Sequence, residues 1–375
     1  MATGASAVKR RNTKPVLTVS ELDELYASVE RCAEVAGLVY ITGEEPGLRR
    51  VRRGKGFSYH DHRGKSLSDG EIKARIAELA IPPAWQKVWI CPDADGHILA
   101  TGEDDRGRKQ YIYHPRWRAV RDLLNFYRLL LFAEQLSTIR AHTGKQLNRR
   151  TFDRPRVIAA MIRIIDDSYL RIGNETYAEE NESYGLTTLT RKHVSVSGDT
   201  IEFEFPAKSG RQWHITMTDR KVARVVEQLA GQRATRLFTV DGRPIDSDEV
   251  NRVLLEVTGQ HITAKNFRTW GGTLAAFEYL EKRLHSQRAA AKEVVAAIDQ
   301  AAEALGNTRS VARSHYVHPH VLETYTEHTF GDYLDKSRPL DLPGLEPAEQ
   351  RLAGFLAELF ESEFSLLQTR PEKSA

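Results

Sequence analysis

Cysteine is nearly absent: among 375 residues only Cys32 and Cys91 carry a thiol, and they share no metal-ligand spacing. That excludes a disulfide scaffold and a cysteine-built zinc site, and a reducing compartment is the expectation. His-Glu-x-x-His, EF-hand, P-loop and Gly-x-Gly-x-x-Gly patterns are missing too. Their absence removes the usual signs of a metal centre, ATP or a dinucleotide. The most apolar stretch, "LLNFYRLLLF" at 123–132, is short and holds Arg128, so it reads as a buried helix rather than a membrane span. No apolar segment follows the basic N-terminus, so no leader peptide is expected. No repeat of solenoid period is visible either. These absences leave a cytoplasmic protein, nucleoid-associated if its partner is DNA.

Charge is plentiful but balanced. Charged residues make up 28% of the chain, yet the net charge is only +3. Basic residues cluster in "KRRNTK" (Lys9–Lys14), "RRVRRGK" (Arg49–Lys55) and the stretch from Arg140 to Arg156. Such runs suit a polyanion, although each taken singly reads as solvated surface.

The length suggests two domains. Residues 1–37 read as a basic tail and leading helix, with Ser20 as N-cap and Gly37 as terminator. From 38 to 115 the chain breaks into short pieces ("LVYIT", "GFSYHD", "VWICPDADGHILATG", "RKQYIYHP") with period-two alternation and Asp-Gly turns. This predicts small antiparallel strands, with "SLSDGEIKARIAELAIP" as a helix among them. From 116 to 345 the pattern is mainly helical: about 117–143 and 154–170, then Arg220–Gly231, Asp246–Thr258, Thr263–His285, Arg288–Leu305 and one helix carrying Tyr316. A three-stranded β insert, "HVSVSGDTIEFEF" plus "RQWHITMTD", interrupts them. Residues 346–375 form an amphipathic helix whose Leu352, Phe355, Leu356, Leu359 and Phe360 share a face and should pack back on the core. The expected fold class is α+β.

The chemistry concentrates in "LGNTRSVARSHYVHPHV" (Leu305–Val321), where Tyr316 follows Arg309, Arg313 and His315 and precedes His318 and Pro319. A phenol with an ordinary pKa near ~10 is a poor nucleophile, so cations around it are informative. Further cations are spread over the helical half: Arg171 before Gly173, Lys208 in the tip "FPAKSG" of a hairpin, and Arg268 near the start of a helix in "ITAKNFRTWGG". Asn307 lies nine residues before Tyr316. Phosphoryl transfer without a metal needs guanidinium groups on the non-bridging oxygens, a nucleophile that forms a covalent link, and an acid for the leaving oxygen. His60, Asp61 and His62 are adjacent, but neighbours on a strand point to opposite faces, so they read as a surface loop.

Five motifs in order, "GRKQYIYHP", "RIGNETYAEENESYGLTTL", "FPAKSG", "KNFRTWGG" and "LGNTRSVARSHYVHP", carry a resemblance to the poxvirus-like bacterial type IB DNA topoisomerases. The resemblance runs from roughly Leu38 to Leu340 and implies an ATP- and metal-independent enzyme that relaxes supercoiled DNA. It implies Tyr316 as the nucleophile that forms a 3′-phosphotyrosyl link, Arg171 and Arg268 as the phosphate clamp, and Lys208 as general acid toward the 5′-oxygen, assisted by Arg171. Asn307 stands where the poxvirus enzymes have histidine; it can donate a hydrogen bond but carries no charge. Gln110, Tyr111 and Tyr113 become candidates for major-groove contacts, and Tyr177 for a further DNA contact. The β-rich domain (38–115) and the catalytic domain (116–345) would form a clamp around duplex DNA, the protein acting as a monomer. No general base for Tyr316 is legible; His315 is adjacent but points about 100° away on a helix. The alternatives are a site-specific tyrosine recombinase, which shares the Arg-Lys-Arg-Tyr set, and a DNA-binding protein without catalysis.

Overall fold

The computed structural model describes residues 25, 28–54, 56–105, 107–173, 184–207, 211–286 and 288–368. The chain forms two compact units, Met1–Tyr127 with Glu363–Ala375, and Arg128–Ser362. Helical and strand segments are segregated, which makes the class α+β. No helix among the described residues is long and apolar enough to cross a membrane.

In the first unit, helix α1 (Val29–Val35) is capped by Ser28, whose hydroxyl accepts from the Arg31 amide. The start expected at Ser20 lies outside the described residues. Gly37 (φ +62) ends the helix in the left-handed region, as a C-terminal glycine should. An antiparallel sheet follows, built from β1 (Leu48–Arg53), β2 (Gly56–His60), β3 (Gln86–Ile90), β4 (Ile98–Glu103) and β5 (Lys109–Tyr113) in the order β2-β1-β3-β4-β5. Helix α2 (Gly70–Glu78), capped by Asp69, joins β2 to β3. Its Ile76 packs with Leu48, Val88, Ile90 and Ala100 in a core that Ile112 of β5 also touches. Alternation along β5 therefore turns Tyr111 and Tyr113 to the face opposite that core.

Helix α3 (Pro115–Leu147) carries the chain from the first unit into the second. There α4 (Arg154–Ser168) is capped by Asp153 and is buried on all sides from Val157 to Ile162, and again from Ile164 to Asp166. The β insert is an antiparallel sheet of β6 (Val194–Ser197), β7 (Thr200–Ala207) and β8 (Arg211–Thr218). After α5 (Arg220–Ala230) come the two-residue strands β9 (Thr239–Val240) and β10 (Arg243–Pro244), then α6 (Ser247–Thr258), α7 (Ala264–Glu281) and α8 (Ala290–Ala304). The short α9 (Arg309–His315), α10 (Pro319–Thr326) and α11 (Phe330–Lys336) precede the final α12 (Pro347–Gln368). Helix α7 is central: Phe267 meets Phe132 of α3 edge-on at 4.9 Å, and Phe277 meets Phe355 of α12 at 5.2 Å. Leu352, Phe355, Leu356 and Leu359 of α12 are all buried in this core.

A charged cluster is enclosed among four helices. Arg140 of α3 donates to both carboxylate oxygens of Asp166 in α4, at 2.8 and 2.9 Å. The same guanidinium donates to both oxygens of Glu349 in α12, at 2.7 and 2.9 Å. Trp270 of α7 gives its indole N–H to Glu349 at 3.0 Å. One cation thus ties α3, α4 and α12 together, with α7 attached through Trp270.

Candidate active site around Tyr316

Tyr316 does not stand on a helix as expected. Helix α9 stops at His315, and Tyr316 is its C-cap at φ −132°, ψ −29°. The amides of Tyr316 and Val317 both donate to the Ala312 carbonyl at 3.0 Å, which closes the last turn. Beyond it the chain is held by α7. The Thr273 hydroxyl donates to the Tyr316 carbonyl and accepts from the His318 amide, both at 3.1 Å. The backbone there comes so near that a Cβ on Gly272 would lie 3.3 Å from both Tyr316 Cβ and its carbonyl oxygen, and 2.8 Å from Leu305. Only glycine leaves room for this approach.

Arg268, one turn earlier on α7, is 2% exposed. Its Nη1 donates to the carbonyl of Tyr169, the left-handed C-cap of α4 (φ 54°), and its Nη2 to the Leu305 carbonyl at 3.0 Å. Two carbonyls from distant segments thus orient the guanidinium, which lies over the Tyr316 ring, 4.8 Å from its centroid. Its Nε–H is buried and meets no acceptor among the described residues. The Tyr169 ring lies on the backbone of α7, where a Cβ on Gly271 would come within 2.5 Å of it. The adjacent glycines Gly271 and Gly272 therefore admit two different neighbours, the Tyr169 ring and the backbone of Tyr316.

Arg171 follows two residues after Tyr169, and its backbone is fixed by the Leu186 amide donating to its carbonyl at 2.9 Å. Its Nη2 donates to Oδ1 of Asn307, which is 5% exposed. Asn307 in turn is placed by its amide, which donates to Ala302 at 2.8 Å at the end of α8. The indole of Trp213 from β8 lies so close to Gly306 (φ +56) that a side chain there would overlap it. The strand that leads away from the "FPAKSG" hairpin is thereby seated against the Asn307 turn.

Electrostatics follow from this packing. Burial works to raise the Tyr316 phenol, but the Arg268 charge and its contact with the phenol, then Arg171 and Lys265, outweigh it, so the phenol titrates below its ordinary 10.0. Arg268 is itself pulled down to about 10 by burial and by the Arg171 charge, with Tyr316 acting the other way. Lys265, exposed in the first turn of α7, was not singled out from the sequence; a basic residue three before Arg268 was the available signal. His318 is buried, and burial first, then the neighbouring His320, hold its imidazole well below 6.5. His315 is exposed at the end of α9.

The structure thus assembles Arg171, Arg268 and the Asn307–Tyr316 stretch from three separated segments. Lys208 and Tyr177 lie outside the described residues. Gln110, Tyr111 and Tyr113 belong to the first unit. There the Gln110 amide donates to Asp104 at 2.9 Å, and the rings of Tyr111 and Tyr113 stack at 5.7 Å with 10° between their planes. Tyr111 is 39% exposed, whereas Tyr113 is partly buried, and burial raises its phenol. In the second unit, a lowered phenol beside paired guanidiniums is an arrangement suited to attack on a phosphodiester, whose charge grows as the bond forms.

Comparison with known proteins leads to the same chemistry. Residues 114–334 match the family model of the eukaryotic DNA topoisomerase I catalytic core, and residues 56–104 match that of the bacterial DNA topoisomerase IB N-terminal domain. The DNA topoisomerase 1B of Acanthamoeba polyphaga mimivirus is 30% identical over 293 residues, covering 74% of this chain and 87% of the viral protein. The DNA topoisomerase 1B of Vaccinia virus is 25% identical over 288 residues, covering 72% of this chain and 84% of its own length.

Proposed function

The chain belongs to the type IB DNA topoisomerase family, and from that premise we propose that it relaxes supercoiled duplex DNA by transient cleavage of one strand. Tyr316 Oη attacks the scissile phosphorus; the bond to the 5′-oxygen breaks, and a 3′-phosphotyrosyl link and a free 5′-hydroxyl result. The strand then rotates about its intact partner, and the 5′-hydroxyl attacks back to release the tyrosine. One phosphodiester is exchanged for another at each step, so neither ATP nor a metal is needed to reseal the strand.

The observation that carries this reading is the Arg268 guanidinium lying over the Tyr316 ring while its buried Nε–H meets no described acceptor. A buried donor of this kind calls for a partner, and a non-bridging phosphate oxygen supplies one. Arg171 is the second clamp. Asn307, its side-chain carbonyl taken by Arg171, is assigned a donor role through its side-chain Nδ2. Lys208 is assigned proton delivery to the 5′-oxygen on the resemblance alone. A lowered phenol and fixed geometry replace a dedicated general base, since effective concentration contributes more than intrinsic basicity.

For the first unit we assign duplex contact to the β5 edge, through Tyr111 and Tyr113 with Gln110 beside them, the two units closing as a clamp on DNA. The enzyme then acts as a monomer in the nucleoid-containing compartment, with affinity dominated by phosphate contacts and steeply salt-dependent. Incubation with negatively supercoiled plasmid in EDTA without ATP tests the proposal: progressive relaxation by the wild type, lost in Tyr316→Phe while DNA affinity stays within about twofold, is expected. A plasmid that stays supercoiled at every salt concentration refutes it.

A further inference from the structure

We propose that Thr273 is a positioning residue for the nucleophile, a role that rests on the cleavage reaction proposed above. Tyr316 follows a helix of seven residues, too short to fix its own C-cap. Across Tyr316, Val317 and His318 the backbone is bonded by a side-chain hydroxyl from a distant helix, that of Thr273. This hydroxyl spans the turn: it donates to the carbonyl of Tyr316 and accepts from the amide of His318, each at 3.1 Å. Both anchors leave the same atom of a fully buried residue on α7, five positions after Arg268. The nucleophile and its clamp are therefore measured from one helix. Both bonds of the Thr273 hydroxyl go to backbone atoms, so its role is to act through Tyr316. Its hydroxyl also satisfies a carbonyl and an amide that have lost their helical partners beyond the end of α9.

A valine has nearly the shape of threonine and removes both bonds at once; a serine keeps both and removes only a methyl group. Single-turnover cleavage of a short duplex whose cut strand dissociates reports formation of the covalent adduct, and filter binding reports affinity. Thr273→Val should cleave about a hundredfold slower, the size of effect expected from a displacement of the attacking group by about 1 Å, with unchanged affinity. Thr273→Ser should restore most of the rate. The Tyr316 phenol should also titrate higher in Thr273→Val, as the ring leaves Arg268. The 295 nm difference between each protein and its Tyr316→Phe counterpart reads this shift.

Three results overturn the proposal: cleavage by Thr273→Val at the wild-type rate, a serine variant as slow as the valine variant, or rate and affinity falling together with the melting temperature. A wild-type protein that forms no adduct at all would instead refute the cleavage reaction itself.

Discussion

Replacing Arg140 with methionine tests how the site is supported from below. The variant keeps most of the side-chain volume but leaves the carboxylates of Asp166 and Glu349 buried without their shared cation, Arg163 being 3.9 Å away from Asp166. Breaking a buried pair on one side costs about 3–5 kcal/mol. For a domain of this size that corresponds to a melting temperature lower by roughly 6–20 °C at pH 7.5. The pH dependence should also reverse. In the wild type, burial raises the Glu349 carboxyl, but the Arg140 bonds and charge prevail and hold it below 4.5. Its contribution is therefore present at neutral pH and lost as the pH falls. Without Arg140 only the Trp270 indole and the Glu346 amide still oppose burial, and the folded-state pKa should rise above the unfolded one. The group then stabilises the fold below its unfolded pKa and loses that contribution as the pH rises. Calorimetry at pH 7.5 and 5.0 should accordingly show the gap between wild type and variant narrowing in acid. A gap under about 1 kcal/mol at pH 7.5, or one that stays constant, would refute the reasoning.

Gly271→Ala puts a methyl group where the Tyr169 ring now lies; overpacking should cost about 1–3 kcal/mol, and single-turnover cleavage should fall more than DNA affinity does. Arg268→Met removes the strongest charge holding down the Tyr316 phenol, so its 295 nm titration should move up and adduct formation should become undetectable on a denaturing gel. His318 is neutral when folded, with its pKa well below 6.5, whereas the unfolded chain takes up a proton there. Stability should hold above pH ~6.5 and decline as the pH drops below it, and urea melts at pH 7.5 and 5.5 should show a smaller decline for His318→Gln.

Much of the fold was legible because periodicity is local. The apolar stripe of Leu352, Phe355, Leu356 and Leu359 marks a helix with one buried face wherever its partner lies, and alternation in "KQYIY" separates Tyr111 and Tyr113 from Ile112 without knowledge of the sheet. Arg268, Arg171, Asn307 and Tyr316 could be named through motif resemblance, not through spacing, since they come from three distant segments. What escaped depends on contacts between distant segments. Tyr316 was expected within a helix because "RSVARSH" continues into it without a breaker; only Thr273, 43 positions away, and the Gly272 backbone show why the chain turns there. Gly271 reads as an ordinary helix-weakening residue until the Tyr169 ring is seen lying on it. Glu349 looks like one more surface acid of a C-terminal helix, because nothing local announces a partner at Arg140.

The unequal lengths of the site's supports have a mechanical consequence. Arg268 stands on an eighteen-residue helix in the centre of the second unit, whereas α9, which leads to Tyr316, has seven residues and buries only Ala312. Elements with so few buried contacts open at a fraction of the free energy needed to unfold the whole. On the proposed mechanism the phosphate clamp would rest on the stiffer element, and the chain entering Tyr316 on the more compliant one, with Thr273 holding the turn beyond it. Torque transmitted through a strand joined to Tyr316 would be taken up first by loosening two turns of α9, with the clamp still set on α7 to receive the returning hydroxyl.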